Sequence, residues 1–326
     1  MESLYRIVAL LADGRFHSGQ ELGSALGISR AAVWKQLKAL DALGVELFSV
    51  RGRGYALASP VELLDRAKIR GQLDTVGRKS LPELEIHPQI ESTNRYLMGR
   101  VAAGLRPGHA CLTERQTQGR GRRGRNWVSP FAANVYLSLY WRFPFSPSAL
   151  AGLSLAAGVS AAMALEDAGV GDVSLKWPND LLWRERKLGG ILLEMAGEAS
   201  GPCHVVIGVG INVAMPAAAG AGIDQPWVDL ATIQPGAVPS RNRVAGLLLN
   251  HLLRAVQQYE ARGVSPFIDQ WQTRDATAGQ PVELRLPDRA VTGIARGVDG
   301  QGALLLEHAG TVEPFSSGEV SLRLRP

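Results

Sequence analysis

Residues Gly119 to Arg125 read GRGRRGR, four arginines interleaved with three glycines, and run at once into Asn126, Trp127 and an alternating apolar stretch. Glycine lets a backbone approach a ligand closely, and each guanidinium offers a planar fork of donors for phosphate or carboxylate. A loop of this composition is suited to holding an anion. It also satisfies G-x-G-x-x-G, but that fingerprint needs a strand before it and a helix after it. Here Arg125, Trp127 and Pro130 follow, then the strand pattern of residues 134–141, so the context of a dinucleotide fold is missing. The sequence has no HRD, DFG or Walker A motif, which removes protein kinases and P-loop enzymes as well. A solvated basic stretch or a nucleic-acid patch is the plain alternative, and the strict glycine spacing beside a buried-looking strand opposes it.

With 326 residues, 46% of them apolar, the chain is long enough for two or three domains with real cores. A net charge of +5 permits a polyanionic partner without demanding one. Cys111 and Cys203 lie far apart and suggest neither a disulfide framework nor a CxxC metal site, so a reducing cytoplasm is expected. The start, MESLYRIVALLADG, lacks a basic n-region and does not read as a secretory signal. The apolar stretch Leu150 to Leu165 is broken by Gly152, Ser154, Gly158 and Ser160 and is shorter than a membrane span needs. It predicts a buried helix, and no membrane partner is expected.

Along the N-terminal sixty residues, Leu4, Ile7, Val8 and Leu11 give a helical period that ends at Asp13-Gly14. Ser18 and Glu21 form a capping box for a helix over 19–26, Gly27 stops it, and Ser29 caps a third helix. Val45 to Phe48 and Tyr55 to Leu57 alternate like short strands around Arg51, Gly52, Arg53 and Gly54. The pattern is a winged helix-turn-helix, with Ser29, Arg30, Trp34, Lys35, Gln36, Lys38, Arg51 and Arg53 as candidate DNA contacts. Residues 1 to 60 hold seven Lys or Arg against five Asp or Glu, so a wing used only for protein contacts stays open. Trp34 fits packing against the wing as well as it fits DNA.

The expected domains are 1–60, a connector 61–84, a central domain 85–272 and a small β-barrel 273–326. The connector reads as amphipathic through Leu63, Leu64 and Ile69, with a linker from Arg78 to Pro82. From Glu85 strands and helices alternate: a strand at 85–90, a helix from Ser92, a strand at 109–116, the arginine loop, a strand at 134–141, a helix at 148–168, and strands near 174, 190 and 205. Such a chain is α+β with a mixed α/β centre. Residues 215–222 are nearly all Pro, Ala and Gly and predict a mobile loop unless a ligand orders it. Beyond Gln280 short strands alternate with turns at Pro287-Asp288, Asp299-Gly300 and Ala309-Gly310.

Three further clusters carry chemistry. Glu91-Ser92-Thr93-Asn94 places hydrogen-bonding side chains at a strand-to-helix junction, which taken alone is an N-cap. Lys176-Trp177-Pro178-Asn179-Asp180 aims an amine and a carboxylate out of a proline turn. Lys187 precedes Gly189-Gly190 at a strand start, where a lone lysine usually faces solvent. Together they supply polar donors for a neutral head group, cations for phosphates and one carboxylate for hydrated magnesium, the equipment of nucleotidyl transfer. Hydrolytic machinery is missing, since neither GxSxG nor HExxH occurs.

GRGRRGRNW, ESTN, KWPND, RKLGGIL, IGVGIN and the terminal SGEVSLR, behind a helix-turn-helix, resemble the bacterial biotin protein ligases that also repress the biotin operon. The resemblance runs over essentially the whole chain in the same motif order, and GRGRRG with KWPND is its most specific part. It implies a class II aminoacyl-tRNA synthetase-like centre and an SH3-like barrel. It implies an ATP-dependent ligase that makes biotinyl-5′-adenylate and passes biotin to a lysine of the biotin carboxyl carrier protein. Ser92, Thr93, Asn94 and Gln116 would hold the ureido end of biotin, Arg120, Gly121 and Arg122 would close over the adenylate, and Lys187 would meet the carboxylate. The resemblance gives Lys187, Arg122 and Arg120 the catalytic roles.

Arg123, Arg125, Trp127, Lys176, Asn179, Asp180, Asn212, Trp227 and Arg323 would serve ATP or the adenylate, with Asp180 holding magnesium directly or through water. Operator DNA, and a homodimer formed when biotinyl-5′-adenylate is bound as corepressor, are the implied regulatory partners. Trp34, Arg51 and the alanine-rich loop are individual to this chain and leave the operator sequence open. Three alternatives stay beside this one: a ligand-gated transcription factor without catalysis, a lipoate ligase, and a ligase whose winged helix binds no operator.

Overall fold

The computed structural model describes residues 2–198, 200–316 and 321–324. Helices α1 (Glu2–Leu11), α2 (Gly19–Leu26) and α3 (Arg30–Leu40) precede the hairpin β1 (Leu47–Val50) and β2 (Gly54–Leu57). Both parts of the capping box form, with Ser18 Oγ accepting from Glu21 N and Glu21 Oε2 from Ser18 N, and Gly27 ends α2 at φ 67°. The first strand starts two residues later than the alternation suggests. Val45 spends its amide on the carbonyl of Leu40 at the end of α3 and its side chain in the domain core, so pairing begins at Leu47.

Residues 59–65 run extended into two short connector helices, α4 (Arg66–Gly71) and α5 (Thr75–Ser80), capped by Asp65 and Asp74. The linker expected from Arg78 is therefore half helix: Asp74 takes the Gly77 amide and also receives Asn250 and Arg254 from a later helix.

A seven-stranded sheet follows, built from β3 (Leu84–His87), β4 (Ala110–Thr113), β5 (Val135–Phe143), β6 (Val173–Lys176), β7 (Asp180–Trp183), β8 (Arg186–Gly197) and β9 (Cys203–Ile211). Its order is β3-β4-β5-β9-β8-β7-β6, parallel for β3 with β4 and antiparallel elsewhere. Between these strands lie α6 (Thr93–Met98) and α7 (Leu153–Asp167). The segment Pro147–Asp167 is apolar and long enough to cross a membrane, yet α7 is buried in the protein core. Strand β5 is buried on both faces, one against the core and the other against α6, where Ser138 Oγ donates to Thr93 and Asn94.

Past β9 come α8 (Ala217–Gly220), α9 (Leu230–Ile233), α10 (Arg241–Arg262) and α11 (Ser265–Gln272). The segment expected to be a mobile loop is thus partly helical. Its small residues let the backbone lie on an aromatic ring: a Cβ at Gly220 would stand 2.1 Å from the Trp227 indole. The long α10 has no counterpart in the sequence reading, although its Val244, Leu248, Leu252 and Val256 recur at helical spacing and are buried.

The C-terminal strands β10 (Pro281–Arg285), β11 (Ala290–Val298), β12 (Leu304–His308), β13 (Thr311–Phe315) and β14 (Ser321–Leu324) form a five-stranded antiparallel sheet, with the three expected turns between β10 and β13. The register shifts between Ala295 and Val298, a bulge of the kind that curves a sheet. Of the SGEVSLR motif, residues 317–320 lie outside the described residues.

One buried charge pair knits these parts. Arg241 Nη2 meets Glu114 Oε2 at 2.8 Å with both side chains almost wholly buried. The guanidinium also donates to the carbonyls of Glu62 and Asn134, and Glu114 Oε1 accepts the Leu64 amide at 2.6 Å. Beside it, Phe131 of the central domain sits in the core of the winged helix with Leu4, Ile7, Val8 and Leu37. Arg241→Met leaves the Glu114 carboxylate buried without its cation and should cost about 3–5 kcal/mol. The urea unfolding midpoint measures this, and an unchanged midpoint would show the pair to be dispensable.

Candidate functional site

A cavity over the sheet surface collects most of the residues singled out from the sequence. Its lining includes Ser92, Thr93, Asn94 and Gln116 around the start of α6, Lys176, Asn179, Asp180 and Lys187 around the turn between β6 and β7, and Arg120 and Arg122 from the arginine loop. Gly121, Arg123, Arg125, Trp127 and Arg323 also line it.

The polar end is built on the start of α6. Ser92 is the N-cap and turns Thr93 and Asn94 inward, where both are buried. Gln116 Oε1 accepts from Thr93 N at 2.9 Å and from Thr93 Oγ1 at 3.2 Å, and Gln116 Nε2 donates to Ser129 Oγ. Asn94 Nδ2 donates to the Leu192 carbonyl. It lies flat on β9 because position 208 is glycine: a Cβ there would be 2.2 Å from Asn94 Oδ1. Trp127 uses the same device one pair further on, its indole covering Gly210 and touching the space above Gly190. Glycines in strand interiors mark such close approaches. The paired glycines of RKLGGILL and the alternate glycines of IGVGIN were the signal for this floor, and the sequence reading left Gly190, Gly208 and Gly210 without roles.

The arginine loop folds as a hairpin, with Arg120 bridged to Asn126, Gly121 N donating to Arg125 O and Trp127 N to Gly119 O. Arg123 at φ 57° and Gly124 at φ 70° make the reversal. Arg120 pairs with Glu194 of β8 at 2.6 Å, and Arg122 Nη1 donates to Asn179 Oδ1 at 3.3 Å. Glu194 had no role in the sequence reading, and nothing in its spacing gives it one.

The charged end is a hairpin product. Strands β6 and β7 pair Lys176 with Asp180 across a turn containing a cis Trp177–Pro178 peptide. The buried Trp177 indole donates to the Gly302 carbonyl, which ties this turn to the C-terminal sheet. Asn179 pins it to β8 through Ile191. Asp180 then receives Lys187 Nζ at 2.6 Å and Lys176 Nζ at 3.2 Å. Burial pushes the Asp180 carboxyl up, but the two ammonium groups outweigh it and hold the group below the usual carboxylate range. Lys187 therefore faces the cavity, not solvent.

Asn212 and Trp227 do not line this cavity. Asn212 Nδ2 donates to the carbonyls of Lys187 and Val228, while Lys187 N donates to Pro226 O and Val228 N to Lys187 O. The two residues clasp the segment that carries Lys187. Among the described residues no group of three or more His, Cys, Asp or Glu is placed to hold a metal. A single carboxylate shared by two ammonium groups does not suit a resident metal ion.

The DNA-contact candidates cluster on the winged helix. Ser29 caps α3; Arg30, Trp34, Lys35 and Lys38 are exposed along it and Gln36 is half-buried. Arg51 and Arg53 sit at the wing turn, with the Arg53 guanidinium over the Phe16 ring.

Comparison with known proteins agrees with this assembly. Residues 86–212 match the biotin/lipoate A/B protein ligase family, 277–323 the biotin protein ligase C-terminal domain, and 4–56 an HTH domain. The bifunctional ligase/repressor BirA of Salmonella typhimurium is 45% identical over 317 residues, covering 97% of this chain and 96% of that protein. Its counterpart from Escherichia coli is 43% identical over 98% of this chain and 96% of its own length. Among solved structures, the biotin protein ligase of Aquifex aeolicus in complex with biotin and ATP matches with a TM-score of 0.64 at 27% identity. That match covers 75% of this chain and 100% of the other.

The Asp180 cluster sets a pH dependence. Its folded pKa is depressed, so its stabilisation is complete above the unfolded carboxyl value of about 4 and fades as pH falls through the folded value. Asp180→Asn should cost about 3 kcal/mol at neutral pH and should flatten the acid limb of a stability profile. Urea midpoints taken from neutral pH downward check both, and parallel acid limbs for the two proteins would contradict the assignment.

Proposed function

Because the chain belongs to the biotin protein ligases that carry an N-terminal helix-turn-helix, we propose that this cavity makes biotinyl-5′-adenylate from biotin and ATP and then loads a biotin carboxyl carrier protein. The observation that carries the reading is the union, in one cavity, of a neutral hydrogen-bonding end with a cationic end centred on Asp180.

Ser92, Thr93, Asn94 and Gln116 hold the ureido ring, whose carbonyl and N–H groups need acceptors and donors fixed in place. The valeryl chain then runs over the glycine floor beside Trp127. In the first step a biotin carboxylate oxygen bonds to the α-phosphorus of ATP, and the bond from that phosphorus to pyrophosphate breaks. Both partners are anionic, so Lys187, Arg122 and Arg120 act by lowering their repulsion and stabilising the charge that builds at the phosphorus. Lys176, Asn179, Arg123 and Arg125 serve the phosphates, Arg323 reaches the nucleotide from the last strand, and Asn212 and Trp227 hold the Lys187 segment from behind. A magnesium ion carried by the phosphates would rest on Asp180 and supply further charge neutralisation.

In the second step the carrier lysine attacks the acyl carbon as the free amine, its proton leaves to water, and AMP departs. No covalent bond to the protein forms. The hairpin of the arginine loop covers the intermediate and keeps water from it.

The N-terminal domain is a helix-turn-helix repressor domain. We take its ligand to be a palindromic operator bound by a homodimer formed when the adenylate occupies the site. Two free buried cysteines and the burial of the apolar α7 suit a cytoplasmic protein.

Biotin-dependent exchange of labelled pyrophosphate into ATP tests the catalytic reading. The native chain exchanges with biotin and not with lipoate, and Lys187→Ala falls by about 10²–10³. Folded protein that exchanges with neither acid would overturn it. Gly208→Ala, whose Cβ collides with the buried Asn94, should weaken biotin binding about tenfold by calorimetry through displacement of the Asn94 amide, beside a loss of about 1–3 kcal/mol of stability. Undiminished biotin affinity would place the ring elsewhere.

A further inference from the structure

The face of the winged helix bears an aromatic side chain that folding does not use. Trp34 lies on α3 with 52% of its surface exposed and is not part of the N-terminal domain's core. Lys38 sits one turn on with its Nζ 3.9 Å from the centre of the indole ring. Arg30, Trp34 and Lys38 stand four residues apart, so they form one stripe along the exposed side of the helix. The sequence reading left this tryptophan between packing and recognition, and its exposure decides against packing on the wing.

The surroundings specify a polyanion. Between residues 30 and 53 the chain has five cations, Arg30, Lys35, Lys38, Arg51 and Arg53, against Asp41 and Glu46. An ammonium stacked on the indole keeps one ring face covered and leaves the rest of an apolar plate, rimmed by cations, open to a partner. On the helix of a winged domain that enters a major groove, such a plate meets base edges. An indole has one donor and no acceptor, so it cannot make the bidentate contacts by which Arg or Asn reads guanine or adenine. The apolar feature a major groove offers is the C5 methyl group of thymine.

We propose that Trp34 packs on a thymine methyl in the operator and so determines the base preference of this chain at that position. The proposal rests on the DNA-binding reading given above and adds the group that is read. Lys38, beside it, holds the phosphate backbone and carries no base preference of its own.

The test uses the full-length protein with biotin and ATP. A random-sequence duplex library is enriched on it, and the winning duplex is then resynthesised with uracil in place of thymine, one position at a time. Fluorescence anisotropy should show at least one position where loss of the methyl weakens binding about fourfold, the effect of uncovering one such group. Trp34→Ala should bind the thymine and uracil duplexes alike, while Lys38→Ala weakens all duplexes equally. Equal binding of thymine and uracil duplexes by the native chain, or a uracil penalty that survives in Trp34→Ala, overturns the role of Trp34 and leaves the operator reading standing. Failure to enrich any sequence overturns both, and points to a wing used for protein contacts.

Discussion

The buried pair of Arg241 and Glu114 is the contact on which the arrangement of this molecule depends. A guanidinium taken out of water is tolerable only when its donors are matched, and here Nε, Nη1 and Nη2 all find oxygens. Those oxygens belong to segments far apart in sequence: the connector at Glu62, the end of β4 at Glu114 and the start of β5 at Asn134. The pair therefore fixes where the winged helix joins the sheet. It also fixes the root of the ligand loop, because Glu114 immediately precedes Arg115 and Gln116. The other root is fixed by Phe131, which lies in the core of the N-terminal domain. The arginine loop thus starts and ends on rigid points, as precise site geometry needs.

Between those roots the chemistry rests on what the sheet omits. Asn94 and Trp127 can lie against β8 and β9 because Gly190, Gly208 and Gly210 have no side chains there. Cationic side chains so close together would repel one another without an anion among them. Asp180 supplies that anion, and its carboxylate keeps Lys176 and Lys187 gathered at one point. Under the proposed function, phosphates entering the cavity would offer the lysines further negative charge, and the cluster is already arranged for it. Preorganisation of this kind lowers a barrier without movement at the moment of reaction.

Local signals were legible wherever a residue acts on its own neighbourhood. The Ser18–Glu21 box, the Ser29 cap, the alternation of β5 and the C-terminal turns all appear in the structure because each is decided within a few residues. What eluded the sequence was decided by distant partners. Residues 78–80 are helical because Asp74, itself held by Arg254 and Asn250, caps them. Residues 217–220 are helical because a tryptophan seven positions beyond Gly220 provides a surface to lie on. The residues named from the arginine loop, the start of α6 and the KWPND turn do line one cavity, whereas Asn212 and Trp227 lie outside it, so the candidate site was legible only in part. Its glycine floor and Glu194 were not, since their roles exist only once two strands and a loop are stacked.

The joining of the loop roots to the winged helix gives the regulatory reading its physical content. Ligand binding can bias the N-terminal domain only by as much as the ligand favours one arrangement over another. Such a difference needs a contact that both regions share. Phe131 is a contact of this kind, since it follows the arginine loop and packs in the core of the N-terminal domain, while the Leu64 amide on Glu114 ties the other end of the loop to the connector. Under the proposed function, an adenylate that ordered residues 115–130 would act on these contacts first, since they lie at the two ends of the loop. By linkage, any arrangement of the winged helices that DNA favours acts back on the loop with the same free energy. Under the proposed function, the packing of Phe131 in the N-terminal core is a contact at which the base of the arginine loop and the winged helix touch directly.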